Sequence, residues 1–95
     1  NPQVIVIVSN DIRNNDGCQD ASCAIENMML AAASYGIGST WLNPLMTLRD
    51  VEPVKSLLDN YGIPSTHNVW SCVAMGYPAE ADKTIARNEG VVKFI

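Results

Sequence analysis

The chain has 95 residues, of which 47% are hydrophobic and 17% are charged, and its 6 basic and 10 acidic side chains give a net charge of −4. This length suits one small domain, and this hydrophobic content excludes an intrinsically disordered protein. The acidic balance argues against a nucleic-acid-binding protein, because such proteins neutralise phosphates with surplus lysine and arginine.

Targeting and metal-binding signals are also missing from the sequence. No apolar run approaches the roughly 20 residues that span a bilayer, and the start at Asn1-Pro2 lacks the basic segment of a secretory signal. Because the first residue is not methionine, we expect a piece of a longer chain or a processed one. The three cysteines (Cys18, Cys23 and Cys72) cannot all pair within the chain, which predicts free thiols and a cytoplasmic location. Neither their spacing nor the single histidine, His67, predicts a metal site.

The first predicted elements are a strand, a loop and a helix. The β-branched run Gln3–Val8 has no polar alternation, which predicts a strand covered on both faces. The Asn- and Asp-rich segment Asn10–Gly17 predicts a loop. Asp20 is expected to cap a helix over Ala21–Tyr35, which Gly36 ends.

This predicted helix is apolar on nearly every side. Two apolar lines run along it, one of Ala24, Met28, Ala31 and Tyr35 and the other of Ile25, Met29 and Ala32. A helix with so little polar surface is buried in a large core or in an interface. A chain of 95 residues has little other material to cover it, so we expect a dimer partner or further polypeptide.

Charged side chains are absent from two long stretches. Between Ala21 and Leu48 the only charged residue is Glu26, and between Asn60 and Ala79 there is none apart from His67, taken as neutral. Since a buried charge needs a partner, both stretches are predicted to form the interior.

The remaining chain predicts a short extended segment, a helix and a central strand. Gly38–Leu42 is the extended segment, and His67–Met75 is a charge-free strand. The helix is expected over Arg49–Asn60, with Pro53 in its first turn. Its opening residue is predicted to be Thr47 or Asp50, and its core side to be Val54, Leu57, Leu58 and Tyr61. A charged arm, 79–95, is predicted to end in a small strand-like unit over Val91–Ile95.

Two features of the sequence suggest a ligand site, and each has an ordinary structural alternative. The loop Trp41–Leu45 can aim backbone groups at a planar ligand, or it is a simple strand-to-helix connection with Trp41 in the core. Lys83 and Arg87, four residues apart, can meet a phosphate, or they belong to a solvated arm. No serine, cysteine or histidine pattern indicates a nucleophile with its base.

Three stretches in order resemble the flavin-dependent nitroreductase family: Asp20–Ala33, Tyr35–Leu42 and Val73–Glu80. The likeness runs from about Pro2 to the C-terminus and corresponds to about the C-terminal half of the family's domain. It implies that residues 1–95 are one portion of a single domain, with 79–95 as an extended C-terminal arm. The family's N-terminal part carries an Arg-Arg-Ser-x-Arg type segment that grips the FMN phosphate, and this sequence has no such segment.

The fold that the resemblance implies is α+β, a nitroreductase-like three-layer α/β/α arrangement with a mixed sheet, present here as a partial domain. It also implies a homodimer with FMN bound in a cleft between the subunits. The Ala21–Tyr35 helix would then lie near the dimer contact, and the C-terminal arm would reach over the partner subunit.

The resemblance also implies a set of cofactor-binding residues and no catalytic side chain. Trp41, Leu42 and Asn43 match the segment whose backbone lies along the flavin ring. Pro44 stands where many relatives have glycine, and because proline has no N–H, the ring hydrogen bond is expected to pass to Leu45. Two further residues, Arg87 and the weaker candidate Lys83, match the basic positions that approach the phosphate. Gly76 is expected to permit close backbone approach.

The activity that the resemblance implies is that of an FMN-dependent NAD(P)H oxidoreductase. A nicotinamide gives hydride to the flavin, and a flat acceptor such as a nitroaromatic or a quinone then takes the electrons. The alternatives are a flavin-binding or dimer-forming module without turnover, and an unrelated small α/β interaction domain.

Overall fold

A computed structural model of the chain describes residues 2–80, 85–86 and 88–95. Its elements in chain order are β1 (Val4–Asp11), α1 (Gly17–Ser34), β2 (Gly38–Leu42), α2 (Leu45–Leu48), α3 (Val54–Asn60) and β3 (His67–Gly76). The helices and strands together make an α+β architecture. None of the described helices is both long enough and apolar enough to cross a membrane.

The three described strands form one sheet in the order β1-β3-β2, with antiparallel pairing on both sides of β3. The central place predicted for the charge-free strand is confirmed, and β2 has the bounds expected for it. The parallel pairing that a mixed sheet requires is not found among these strands. Such a pairing would need a strand beyond those described here.

Strand β1 differs from its prediction in length and in cover. It lies at an edge of the sheet, and Val4 and Ile5 are exposed, so the expectation that both faces are covered is wrong for this chain. The strand also continues to Asp11, because pairing with β3 resumes after a register shift between Val8 and Ser9. Its last two residues, Asn10 and Asp11, therefore lie in the segment that was predicted to be a loop.

Helix α1 begins at Gly17, four residues earlier than predicted, so Asp20 is not its cap. The cap position is Asp16, which makes no capping hydrogen bond through its side chain. Asn14 braces the turn instead: its Oδ1 accepts from Asp16 N at 2.9 Å, and its Nδ2 donates to Asp20 Oδ2 at 2.9 Å. A Cβ on Gly17 would lie 2.5 Å from Asn10 Oδ1, so a larger residue there would displace the Asn10 side chain, which binds Gly17 O and Trp70 Nε1.

One side of α1 is buried and the other is exposed. Ala21, Ile25 and Ala32 are buried, and the helix packs against all three strands. The other side of the helix is also apolar but is uncovered within this chain, with Leu30 60% and Tyr35 79% exposed. The charge-free stretch that contains α1 is therefore only partly interior here.

The helix predicted over Arg49–Asn60 ends at the predicted residue but begins later, because α3 starts at Val54; a separate short helix, α2, precedes Arg49. Pro53 is the cap residue of α3, since a proline lacks the N–H that a helix interior needs. Neither of the proposed opening residues starts a helix: Thr47 lies inside α2, and Asp50 lies between the helices. Arg49 ties this connection to the turn before β3, where its guanidinium donates to the carbonyls of Pro64 and Ser65 at 3.2 and 2.8 Å.

An open groove of about 610 Å³ lies between α3 and the sheet. Of the four predicted core residues of the helix only Leu58 is buried, while Val54, Leu57 and Tyr61 line the groove with it. Cys72 on β3 lines its other side. Because successive strand residues face opposite sides, the fully buried Val73 points away from this groove, to the face that α1 covers.

The end of the chain lacks the strand predicted for Val91–Ile95. The described residues there belong to no helix or strand and are exposed. A strand-like segment needs a neighbouring strand edge to satisfy its backbone groups. None of the described strands pairs with it in this chain.

Candidate functional site

The residues predicted to face a planar ligand lie together where β2 ends. Trp41, Leu42, Asn43 and Pro44 are consecutive and exposed. On the inner side Trp41 pairs with Val73 of β3, whereas no described strand pairs with the outer edge of β2. Trp41 is therefore not a core residue of this chain. Its exposed side chain lies beside the unpaired outer edge of β2.

Ser71 of the neighbouring strand β3 forms hydrogen bonds with this segment. Its side chain is 2% exposed, and its Oγ lies 3.0 Å from Leu42 O and 3.0 Å from Asn43 Oδ1. The two contacts connect the centre of the sheet to the last residues before α2. Sequence reasoning missed Ser71, because only the pairing of β2 with β3 brings it to Asn43.

Pro44 and Leu45 form the start of α2. Pro44 has helical dihedral angles at the cap position, and its carbonyl accepts from Thr47 and Leu48 at 3.2 Å. The N–H of Leu45 has no hydrogen-bond partner among the described residues, as is usual for the first residue of a helix. The transfer of the ring hydrogen bond from Pro44 to Leu45 stays a prediction.

The two predicted phosphate-binding residues, Lys83 and Arg87, lie outside the described residues. Three basic side chains inside the described ranges already have partners. Arg13 pairs with Asp11 at 2.7 Å, Lys55 pairs with Asp59 at 3.0 Å, and Arg49 binds the carbonyls described above. The phosphate prediction therefore continues to depend on Lys83 and Arg87.

Gly76 lies where two backbones come close, as predicted. A Cβ at this position would collide with the side chain of Gln3, whose Oε1 accepts from Tyr77 N at 3.2 Å. Its register partner is Gly38, and a Cβ there would lie 3.3 Å from Gly76 O. Glycine at position 38 lets the end of β2 approach β3 closely, and glycine at position 76 leaves room for the side chain of Gln3.

A polar cluster joins β1 and β3 at the end of the sheet where β1 finishes and β3 begins. Ser9 Oγ lies 3.0 Å from His67 Nδ1. Hydrogen bonds from the side chain and the backbone N–H of Arg13 lower the pKa of Asp11 to about 2, and the nearby His67 adds to that effect. His67 thus ties two strands together, as expected of a structural histidine.

The described cysteines show no sign of an activated thiol. Cys18, Cys23 and Cys72 are all free, and burial raises the pKa of the Cys72 thiol, which disfavours the reactive thiolate. The described residues contain no group of His, Cys, Asp and Glu side chains that could hold a metal ion.

The surface at the end of β2 carries groups that can contact a flat ring. An exposed tryptophan, an apolar neighbour and a braced carboxamide suit a flat ring with a polar edge. Phosphate binding would need basic groups, and the three discussed above are engaged elsewhere.

A sequence profile of the nitroreductase family matches residues 1–77. The chain belongs to this family. The fold comparison agrees, because a nitroreductase with bound FMN from Bacteroides fragilis superimposes with a TM-score of 0.89 at 38% identity. That superposition covers 99% of this chain and 51% of the other, which confirms the nitroreductase fold as a partial domain.

Two more nitroreductase relatives support the assignment. A candidate nitroreductase in complex with FMN from Desulfovibrio desulfuricans has a TM-score of 0.69 and 26% identity, and the match covers 93% of this chain and 51% of that one. An Archaeoglobus fulgidus protein, named as a candidate NADH dehydrogenase/NAD(P)H nitroreductase, is 44% identical over 62 residues, or 65% of this chain and 34% of that protein. The chain thus spans about half of the solved relatives, and its match spans about a third of this curated one.

Proposed function

We propose that the protein is an FMN-dependent NAD(P)H oxidoreductase that passes hydride from a nicotinamide through the flavin to flat acceptors such as nitroaromatics and quinones. The observation that carries this proposal is the superposition of almost the whole chain on the Bacteroides fragilis nitroreductase with bound FMN. The name of the Archaeoglobus fulgidus relative supports the nicotinamide as the electron donor.

In this proposal the protein binds and orients the flavin, which accepts and donates the hydride when it is bound. Trp41, Leu42 and Asn43 lie along the ring. The N–H of Leu45 donates to the ring edge, where a fixed donor stabilises negative charge as it develops. Lys83 and Arg87 bind the phosphate through charge-assisted hydrogen bonds.

We further propose that the protein is a homodimer and that the exposed side of α1 contributes to the contact between the subunits. Leu30, Ala31 and Tyr35 are exposed there, and Glu26 is the only charged residue between Ala21 and Leu48. Apolar surface of this kind marks interaction sites. The cytoplasmic location predicted from the free cysteines stays a prediction.

Replacing Leu30 with arginine tests this contact. We expect Leu30→Arg to weaken dimerisation about tenfold or more, because a charge buried in an apolar interface without a partner is costly. Light scattering after size-exclusion chromatography over a range of concentrations measures the effect. Asn60→Arg, on an exposed residue of α3 and not of α1, is the control and should stay dimeric. Equal dimer fractions for both variants would contradict the contact.

The activity is tested with purified full-length protein, FMN and both nicotinamides. We expect a yellow protein whose visible absorbance is bleached by NADPH or NADH without oxygen and is restored by a nitroaromatic or a quinone. Bound flavin that neither nicotinamide reduces would identify a flavin-binding module without turnover. Protein that binds no flavin would overturn the proposal.

A further inference from the structure

We propose that Ser71 is a positioning residue that fixes Leu42 and Asn43 for contact with the flavin ring, an inference that rests on the proposed function. Ser71 lies on the same face of β3 as Val73, opposite Val8 and Val6 of β1, and both side chains are buried. It is the only buried polar or charged side chain among the described residues. A hydroxyl in such a row costs free energy unless it is hydrogen-bonded.

Both hydrogen-bond partners of Ser71 belong to the segment that we assign to the ring. Its Oγ is equally close to Leu42 O and Asn43 Oδ1, at 3.0 Å. A hydroxyl has one proton, so it donates to one of these oxygens at a time. With the Asn43 amide reversed, Nδ2 would donate to the hydroxyl and the proton would go to Leu42 O. The contact therefore holds in either orientation of the amide.

The other contacts of the segment run through its backbone, which pairs Leu42 with Cys72 and accepts from Met46 N at Asn43 O. Ser71 is therefore what fixes the Asn43 side chain. Its residues are exposed and lie between an edge strand and α2, a helix of four residues. A rigid planar ring requires its neighbouring atoms at fixed distances, and contacts from supporting residues supply that order. Ser71 provides it from the central strand of the sheet.

The test compares FMN affinity and the visible circular dichroism of the bound flavin in full-length protein. We expect Ser71→Ala to raise the FMN dissociation constant about threefold to tenfold, as for a lost hydrogen bond. At saturating FMN we also expect a changed visible spectrum, because the ring is held differently. Ser71→Thr keeps the hydroxyl and should restore both properties.

Val69→Ala is the control, since Val69 is buried two residues away on the same strand and its apolar side chain forms no hydrogen bond to Leu42 or Asn43. It should lower stability and leave the spectrum at saturating FMN unchanged, which separates positioning from a merely structural role. Asn43→Ala, at an exposed residue, probes the same contact if a Ser71 variant does not fold, and it should change the spectrum as well.

The outcomes separate this inference from the proposed function. Wild-type protein that binds FMN while Ser71→Ala and Asn43→Ala keep its affinity and spectrum would overturn the inference alone. A spectrum changed equally by Val69→Ala would overturn it too. Wild-type protein that binds no FMN would overturn the proposed function and this inference with it.

Discussion

Replacing Ile25 with alanine is expected to lower the free energy of unfolding by about 2–5 kcal/mol, the range for deleting a fully buried aliphatic side chain. Ile25 is 0% exposed and lies in α1, which packs against all three strands. The loss combines the transfer free energy of the removed methyl and methylene groups with the cavity that remains. Urea denaturation followed by far-UV circular dichroism measures it.

Ile12→Ala is the control for this prediction because it removes the same atoms from a residue that is 61% exposed. We expect it to change stability by less than about 0.5 kcal/mol, as is usual for surface substitutions. Similar losses in both variants would mean that α1 does not form the core through Ile25.

Replacing Arg87 with alanine is expected to weaken FMN binding by about 1–3 kcal/mol, or about 5- to 150-fold in the dissociation constant. The reason is the loss of a charge-assisted hydrogen bond to the phosphate. Fluorescence titration of the apoprotein with FMN measures the affinity.

Riboflavin, which lacks the phosphate, makes this experiment specific. If Arg87 binds the phosphate, Arg87→Ala should reduce affinity for FMN and leave affinity for riboflavin unchanged. Arg13→Ala serves as the charge-matched control, because the Arg13 side chain is 87% exposed and pairs with Asp11. Unchanged FMN affinity in Arg87→Ala would remove Arg87 from the site.

Local sequence signals predicted the elements whose residues decide their own conformation. Strand β2 and the middle of α1 were predicted well, because periodicity and glycine boundaries mark them. The start of α1 was missed because Gly17 is typical of a loop, and the contacts that place it in a helix come from Asn10, which is distant in sequence from the body of the helix. The helix predicted around Pro53 begins later than expected because the effect of the missing N–H outweighed the apolar spacing.

The candidate site shows the same division. The resemblance of the sequence to a family singled out Trp41, Leu42 and Asn43, and the structure places them on one exposed strip. Ser71 had no signal of its own, since a serine within an apolar strand looks ordinary. Its role follows from the pairing of Leu42 with Cys72, which brings Ser71 within hydrogen-bond distance of the end of β2.

The strand at the middle of the sheet is the last of the three described strands in chain order. β1 and β2 each pair with β3 and not with each other, and β3 begins only at His67. During translation neither earlier strand can pair within this part of the chain until β3 has left the ribosome. β1 and β2 therefore lack their described partner strand until then, and contacts between segments far apart in sequence are slow to form. Chaperones that bind extended apolar segments would have their best opportunity in that interval, before residue 76 emerges.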